Sequence, residues 1–210
     1  MRKRKFWGWG YEDDLLTHEE ENNIDARIAT TFNLDSVERI NIPDIKNIDL
    51  PRSKVKKPQT LKNILSDDKL EQLNHSYGKS FPDSARSILG YFPNPPDLVA
   101  FPKTEKDISN VLDWASSNDL AVVPYGGGSS VCGGVETNVG DDYKGVISLD
   151  MKNLNSIVEV DRESRTALIQ GGIYGPDLEE NLKKHDLTMR HYPQSFEFST
   201  LGGWIATRSG

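Results

Sequence analysis

Apolar residues fall into two regimes along the chain. Up to about residue 90 they are scattered. The stretch 41–59 holds Pro43, Pro51 and Pro58 with little periodicity and predicts an extended connector. Leu61, Ile64, Leu65, Leu70 and Leu73 recur at helical spacings and predict one or two short helices. Beyond residue 90 the pattern becomes regular. Leu98 to Phe101 is a short apolar run bounded by prolines. After it, Ile108, Val111, Leu112 and Ala115 share one face of a predicted helix, with Thr104 and Asp107 as an acidic variant of the capping box. "LAVVPYGGG" reads as a buried strand running into a glycine loop, and "KGVISLDM" as another strand. "SIVEVDRESRTALIQGG" alternates on both sides of Asp161 to Ser164, as a hairpin does. "GPDLEENLKKHD" predicts a helix with Leu178 and Leu182 inward, acids early and lysines late, the arrangement that the helix dipole favours.

Composition narrows the function classes. With 210 residues, 36% hydrophobic and 9% aromatic, the chain can bury a core as one large domain or two small ones. The formal charge of -7 argues against a nucleic-acid partner. The single cysteine, Cys132, excludes an intrachain disulfide and a cysteine-rich zinc site, so no metal is expected and a reducing compartment fits best. No apolar run has the length of a membrane span, and "MRKRK" is not followed by the apolar segment of a secretion signal, so the expected location is the cytoplasm. Phe6, Trp7, Trp9 and Tyr11 flank this basic cluster. Such an arm is expected to pack on its own protein rather than on a membrane surface.

The candidate chemistry begins at "PYGGGSSVCGG", residues 124–134, where five glycines follow the apolar strand. It is neither G-x-G-x-x-G nor a P-loop, since Gly134 and Val135 stand where lysine and serine or threonine belong. A strand, a proline, three glycines and two serines can turn several backbone N–H groups toward one anion such as a pyrophosphate, although an ordinary glycine-rich turn reads equally well. In the second stretch, "HYPQSFEFSTLGGWIATRSG", hydroxyls, bare backbone and aromatics alternate, as a segment following a long flat ligand would.

Together the two stretches resemble the flavin-binding elements of the vanillyl-alcohol oxidase/p-cresol methylhydroxylase superfamily. Within it, "GWGY" and "SFEFSTLGGWIATRSG" resemble the alkyldihydroxyacetonephosphate synthase family and its bacterial relatives. The resemblance implies an α+β, two-subdomain FAD-binding fold, with an arm and helical segment over residues 1–90 and an FAD-binding domain over 91–210, cut short at its C-terminal end. By position it implies that Pro124, Tyr125, Gly126, Gly127, Gly128, Ser129 and Ser130 wrap the FAD pyrophosphate. Gln194, Ser195, Phe196, Glu197, Phe198, Ser199 and Thr200, with Thr207, Arg208, Ser209 and Gly210, would line the rest of the cofactor. Tyr192 and Gln194 replace acidic residues of the family's "HEPDS", so no carboxylate contact carries over.

The glycine loop lacks the histidine through which many superfamily members bind flavin covalently, so FAD is expected to be non-covalent. His191 is expected to hydrogen-bond within its loop, and Cys132 to be a small buried thiol. The implied reaction exchanges an acyl group for a fatty alcohol on dihydroxyacetone phosphate, with no net redox change and with the protein supplying orientation and electrostatics. The alternatives are an FAD-dependent 2-hydroxy-acid oxidase or dehydrogenase and a non-catalytic nucleotide-binding fragment. Catalytic residues are expected outside this chain. The implied partner is a small-molecule or lipid substrate, and peripheral membrane contact and a homodimer stay open.

Overall fold

The computed structural model describes residues 2–209. Its centre is a mixed sheet of four strands in the order β1-β2-β4-β3: β1 Leu65–Ser66, β2 Leu98–Ala100, β3 Leu120–Tyr125 and β4 Gly145–Asp150. Strand β4 runs parallel to both β2 and β3, while β1 adds antiparallel to β2, with Leu65 opposite Ala100. Tyr125 pairs with Asp150, so the glycine loop after β3 and the turn after β4 leave the sheet at the same carboxyl edge. In open sheets of this kind that edge is where ligands bind.

Helix α4, Glu105–Ser117, covers one face, burying Val111 and Ala115 against Leu98, Ala100, Ile147 and Leu149. It starts at the expected cap: the Thr104 side chain accepts from the Asp107 N–H, and the Asp107 carboxylate accepts from the Thr104 N–H. Leu112 departs from the predicted inward face. It is 45% exposed, because the buried stripe is narrower than the apolar pattern. Helix α2, Lys69–Asn74, lies on the opposite face, where Gln72 Nε2 donates to the carbonyl of Pro96 at 2.9 Å. The helical reading of Leu61 to Leu65 is also corrected. A single 3-10 turn, Gln59–Leu61, precedes β1, and only Lys69–Asn74 is α-helical.

Three further helices, α1 (His18–Phe32), α3 (Phe81–Ile88) and α6 (Leu201–Thr207), form where the apolar pattern gave no signal. Helix α1, His18–Phe32, buries no residue and rests on local chemistry, with Thr17 and Glu20 forming a capping box and three glutamates in the first turn. Helix α3, Phe81–Ile88, has Ser80 and Asp83 as its capping box. The hairpin forms as expected from β5, Ile157–Asp161, and β6, Thr166–Ile169. It packs with α5, Gly175–Lys183, and α6, Leu201–Thr207, around Ile173, Leu178, Leu182 and Trp204. The aromatic arm packs on its own protein as expected: Phe6 joins Ile48, Leu73, Tyr77 and Phe92 in a separate cluster. Among the described residues no helix is long and apolar enough to cross a membrane.

The neighbouring positions of α4 test this packing. Val111→Ala is expected to lower unfolding free energy by about 2 kcal/mol and Leu112→Ala by less than about 0.5 kcal/mol, measured by chemical denaturation.

Candidate flavin cleft

Three backbone segments are layered at the carboxyl edge of the sheet. The glycine loop lies against 198–200, and 199–202 lies in turn against 171–174, through a bridge between Tyr174 and Thr200 and a Gly202 N–H bond to the Gly171 carbonyl at 2.8 Å. A Cβ on Gly127 would overlap the Phe198 carbonyl oxygen and lie 2.7 Å from its carbon, and one on Gly126 would overlap Thr200 Oγ1. Gly128 takes φ +68, and there a Cβ would run into the Tyr125 hydroxyl. The glycines are therefore required first by the chain's own second segment.

Beside this contact opens a cleft of about 610 Å³. It is lined by Tyr125, Gly127, Asp150, Tyr174, Glu197 and Phe198, by His75 and Lys79, and by residues 2–5 and 8–11 of the arm. His75 is buried between α2 and the sheet. Its Nδ1 is 2.7 Å from the Glu71 carbonyl oxygen, its Nε2 3.0 Å from Asp150 Oδ2, and its ring 4.2 Å from that of Tyr125. Burial pushes the Tyr125 hydroxyl well above its ordinary range, with the Asp150 charge adding to it, and burial raises Tyr174 as well. Lys79 is pushed down to about 8 by burial, with Arg4 as the next cause.

Among the described residues, the backbone N–H groups of Gly126 to Ser130 have no acceptor within the chain, although Gly128 is buried. Such groups are normally paired, so a run of five donors centred on the loop whose Gly127 lines the cleft fits an anionic group bound by the backbone. Residues 96–210 match the family described as FAD binding domain. The chain belongs to that FAD-binding family. An alkyldihydroxyacetonephosphate synthase from Dictyostelium discoideum is 37% identical over 183 residues, covering 85% of this chain and 30% of that protein. A glycolate oxidase subunit from Bacillus subtilis is 32% identical over 155 residues, 70% of this chain and 32% of its own. A solved alkyldihydroxyacetonephosphate synthase superposes with a TM-score of 0.83 at 30% identity, covering 99% of this chain and 43% of its own. The chain thus spans less than half the length of the relatives it matches.

In this FAD-binding chain the second stretch is divided in its roles. Glu197 and Phe198 line the cleft. Ser199 and Thr200 are buried behind the loop, where Ser199 Oγ accepts from the Trp204 indole and donates to the Ser195 carbonyl, and Thr200 Oγ1 caps α6. Phe196 stacks on Trp204, Gln194 is exposed, and Thr207 and Arg208 are exposed at the end of α6, with Ser209 just beyond; Gly210 lies outside the described residues.

Two expectations are corrected. Cys132 is exposed, 3.6 Å from Ser130 Oγ, because the chain beyond Ser130 runs over the surface instead of turning inward. His191 packs edge-on to Trp204, and its buried Nε2 has no partner among the described residues, in place of the expected loop hydrogen bond. Arg4, His75, Lys79 and Tyr174 were not singled out from sequence. For Arg4 the signal was its position inside the aromatic arm, whereas His75 and Lys79 carry none.

Gly127→Val is expected to weaken FAD binding by at least about tenfold, by driving Phe198 out of place, while Cys132→Ala at the exposed site leaves it unchanged. Titration with FAD followed by flavin fluorescence measures both. Lys79 carries a second expectation. Its folded value lies below the ordinary lysine range, so between pH 8 and 10.5 the unfolded chain binds more protons at this residue, and its contribution to stability rises with pH. Unfolding free energies of the parent minus those of Lys79→Met are expected to rise by about 1 to 3 kcal/mol across that window.

Proposed function

We propose that this chain is the FAD-binding part of a flavoenzyme of the alkyldihydroxyacetonephosphate synthase type, one that exchanges an acyl for an alkyl group on dihydroxyacetone phosphate. The run of N–H donors from Gly126 to Ser130, which find no acceptor among the described residues, next to an aromatic-walled cleft that Gly127 lines, carries the reading. On this reading Pro124 to Ser130 hold the diphosphate, and 194–200 with 207–210 support the rest of the cofactor. Residues 1–90 serve as arm and helical segment and 91–210 as the cofactor-binding domain, whose sheet is extended by β1 and covered by α2. When bound, FAD supplies an electron-accepting ring, and this chain binds it, orients it and shields it from water. The greater identity and coverage of the synthase relative favour transferase chemistry, with a lipid substrate. The glycolate oxidase relative supports a second reading, oxidation of a 2-hydroxy acid.

The full-length protein is expected to purify with a flavin absorption band and to release the flavin into the supernatant on acid precipitation. Flavin retained in the pellet would contradict non-covalent binding, and no band even after incubation with FAD would contradict the cofactor. With an acyl-dihydroxyacetone phosphate and a long-chain alcohol, the synthase reading expects ether-bond formation. Reduction of the flavin by a 2-hydroxy acid without ether formation would decide for the second reading.

A further inference from the structure

The four basic residues at the start of the arm differ in what offsets their charge. Arg2 is paired with Asp13 and Asp14, Lys3 with Glu12 at 2.9 Å, and the Lys5 ammonium donates to the Asp14 carbonyl at 2.9 Å. Arg4 turns inward and has no ion pair among the described residues. Its Nη1 donates to the Gly127 carbonyl at 3.2 Å and its Nη2 to the Glu197 carbonyl at 3.3 Å. The guanidinium carbon lies 4.5 Å from the Tyr174 ring centroid and 5.1 Å from that of Phe198. One side chain of the arm thus ties together both cradle segments, from 123 and 193 positions away in sequence.

We propose that Arg4 is a binding residue of the dinucleotide site. It fixes the peptide planes of the two segments and sets a positive charge opposite the diphosphate, with Lys79 as the positioning residue that holds the arm in place. The inference rests on the FAD reading above. The peptide unit is planar, so holding the Gly127 carbonyl on Arg4 fixes the plane of the peptide that joins Gly127 to Gly128. The charge is the second half of the case: a partly buried guanidinium without a carboxylate costs free energy unless an anion faces it, and its planar fork suits phosphate oxygens.

Lys79 clasps the arm from below. Its ammonium donates to the carbonyls of Lys5 at 3.2 Å and Phe6 at 3.3 Å, its carbonyl accepts from the Trp9 indole at 3.1 Å, and its N–H donates to the Ser130 carbonyl at 2.7 Å. The clasp therefore joins the arm to the far end of the glycine loop. It also adds a second cation to the same wall, a cost that a bound anion offsets.

The test uses the full-length protein with Arg4→Gln, Arg4→Lys and Lys79→Met, and three ligands: FAD, ADP as the diphosphate half, and riboflavin as the half without phosphate. Thermal unfolding without ligand checks that each variant is folded. Arg4→Gln is expected to weaken FAD and ADP roughly 10- to 100-fold and to change riboflavin less than about twofold. Arg4→Lys, which keeps the charge without the fork, falls between Arg4→Gln and the parent. Lys79→Met weakens FAD less than Arg4→Gln does. Should Arg4→Gln fail to fold, Arg4→Lys decides, and parent-like ADP binding by it overturns the proposal. Binding of FAD and ADP by Arg4→Gln within about twofold of the parent, or an equal loss of riboflavin, overturns it as well. A parent that takes up no FAD sinks the cofactor reading together with this one, whereas uptake by the parent with no effect at Arg4 sinks this one alone.

Discussion

The close approach of two peptide backbones, 126–128 against 198–200, is the contact on which the remainder of the cleft depends. It permits no side chain on the glycine side, since a Cβ on Gly127 would overlap the Phe198 carbonyl oxygen. Through Thr200 and Tyr174 the same layer continues to 171–174 and from there to the core of Ile173, Leu178, Leu182 and Trp204. The hairpin unit is thereby docked on the carboxyl edge of the sheet. Bare backbone at such an edge presents N–H donors that no strand ladder uses, so a requirement of packing also leaves donors exposed at that edge.

Electrostatics work locally against the overall balance. The chain is acidic at -7, yet Arg4 and Lys79 both line the cleft, and among the described residues neither has a salt bridge. A low-dielectric wall makes such a local field stronger than the net charge suggests. The acidic residues of the arm pair with its bases Arg2 and Lys3, while Lys5 meets only a backbone carbonyl.

The second face of the sheet carries a polar layer where an apolar one would be simpler. Gln72, His75 and Ser76 on or next to α2 are buried, as are Ser148 and Asp150 of β4, and His75 meets Asp150. Hydrogen bonds from Gln72 to Pro96 and between His75 and Asp150 hold the short α2 in one register, which apolar contacts of a six-residue helix would hold less firmly. That register is what brings His75 under Tyr125.

The sequence by itself determined strands β2, β3 and β4, the hairpin and helices α4 and α5, because their apolar runs and spacings are displayed locally, but not the short helix α6, whose glycine-rich stretch carries no such signal. It also determined both cradle segments, because bare glycines and alternating hydroxyls are visible without knowing what they touch. Helix α1 stayed hidden because its support is a capping box and acidic first turn rather than a buried stripe, and Leu112 was misplaced because periodicity marks a face but not the width of its burial. Only the tertiary structure decided that Arg4, His75, Lys79 and Tyr174 share one cleft with Gly127. Their proximity arises from docking the arm and α2 against loops far along the chain, and no local pattern records which distant carbonyl a side chain will meet.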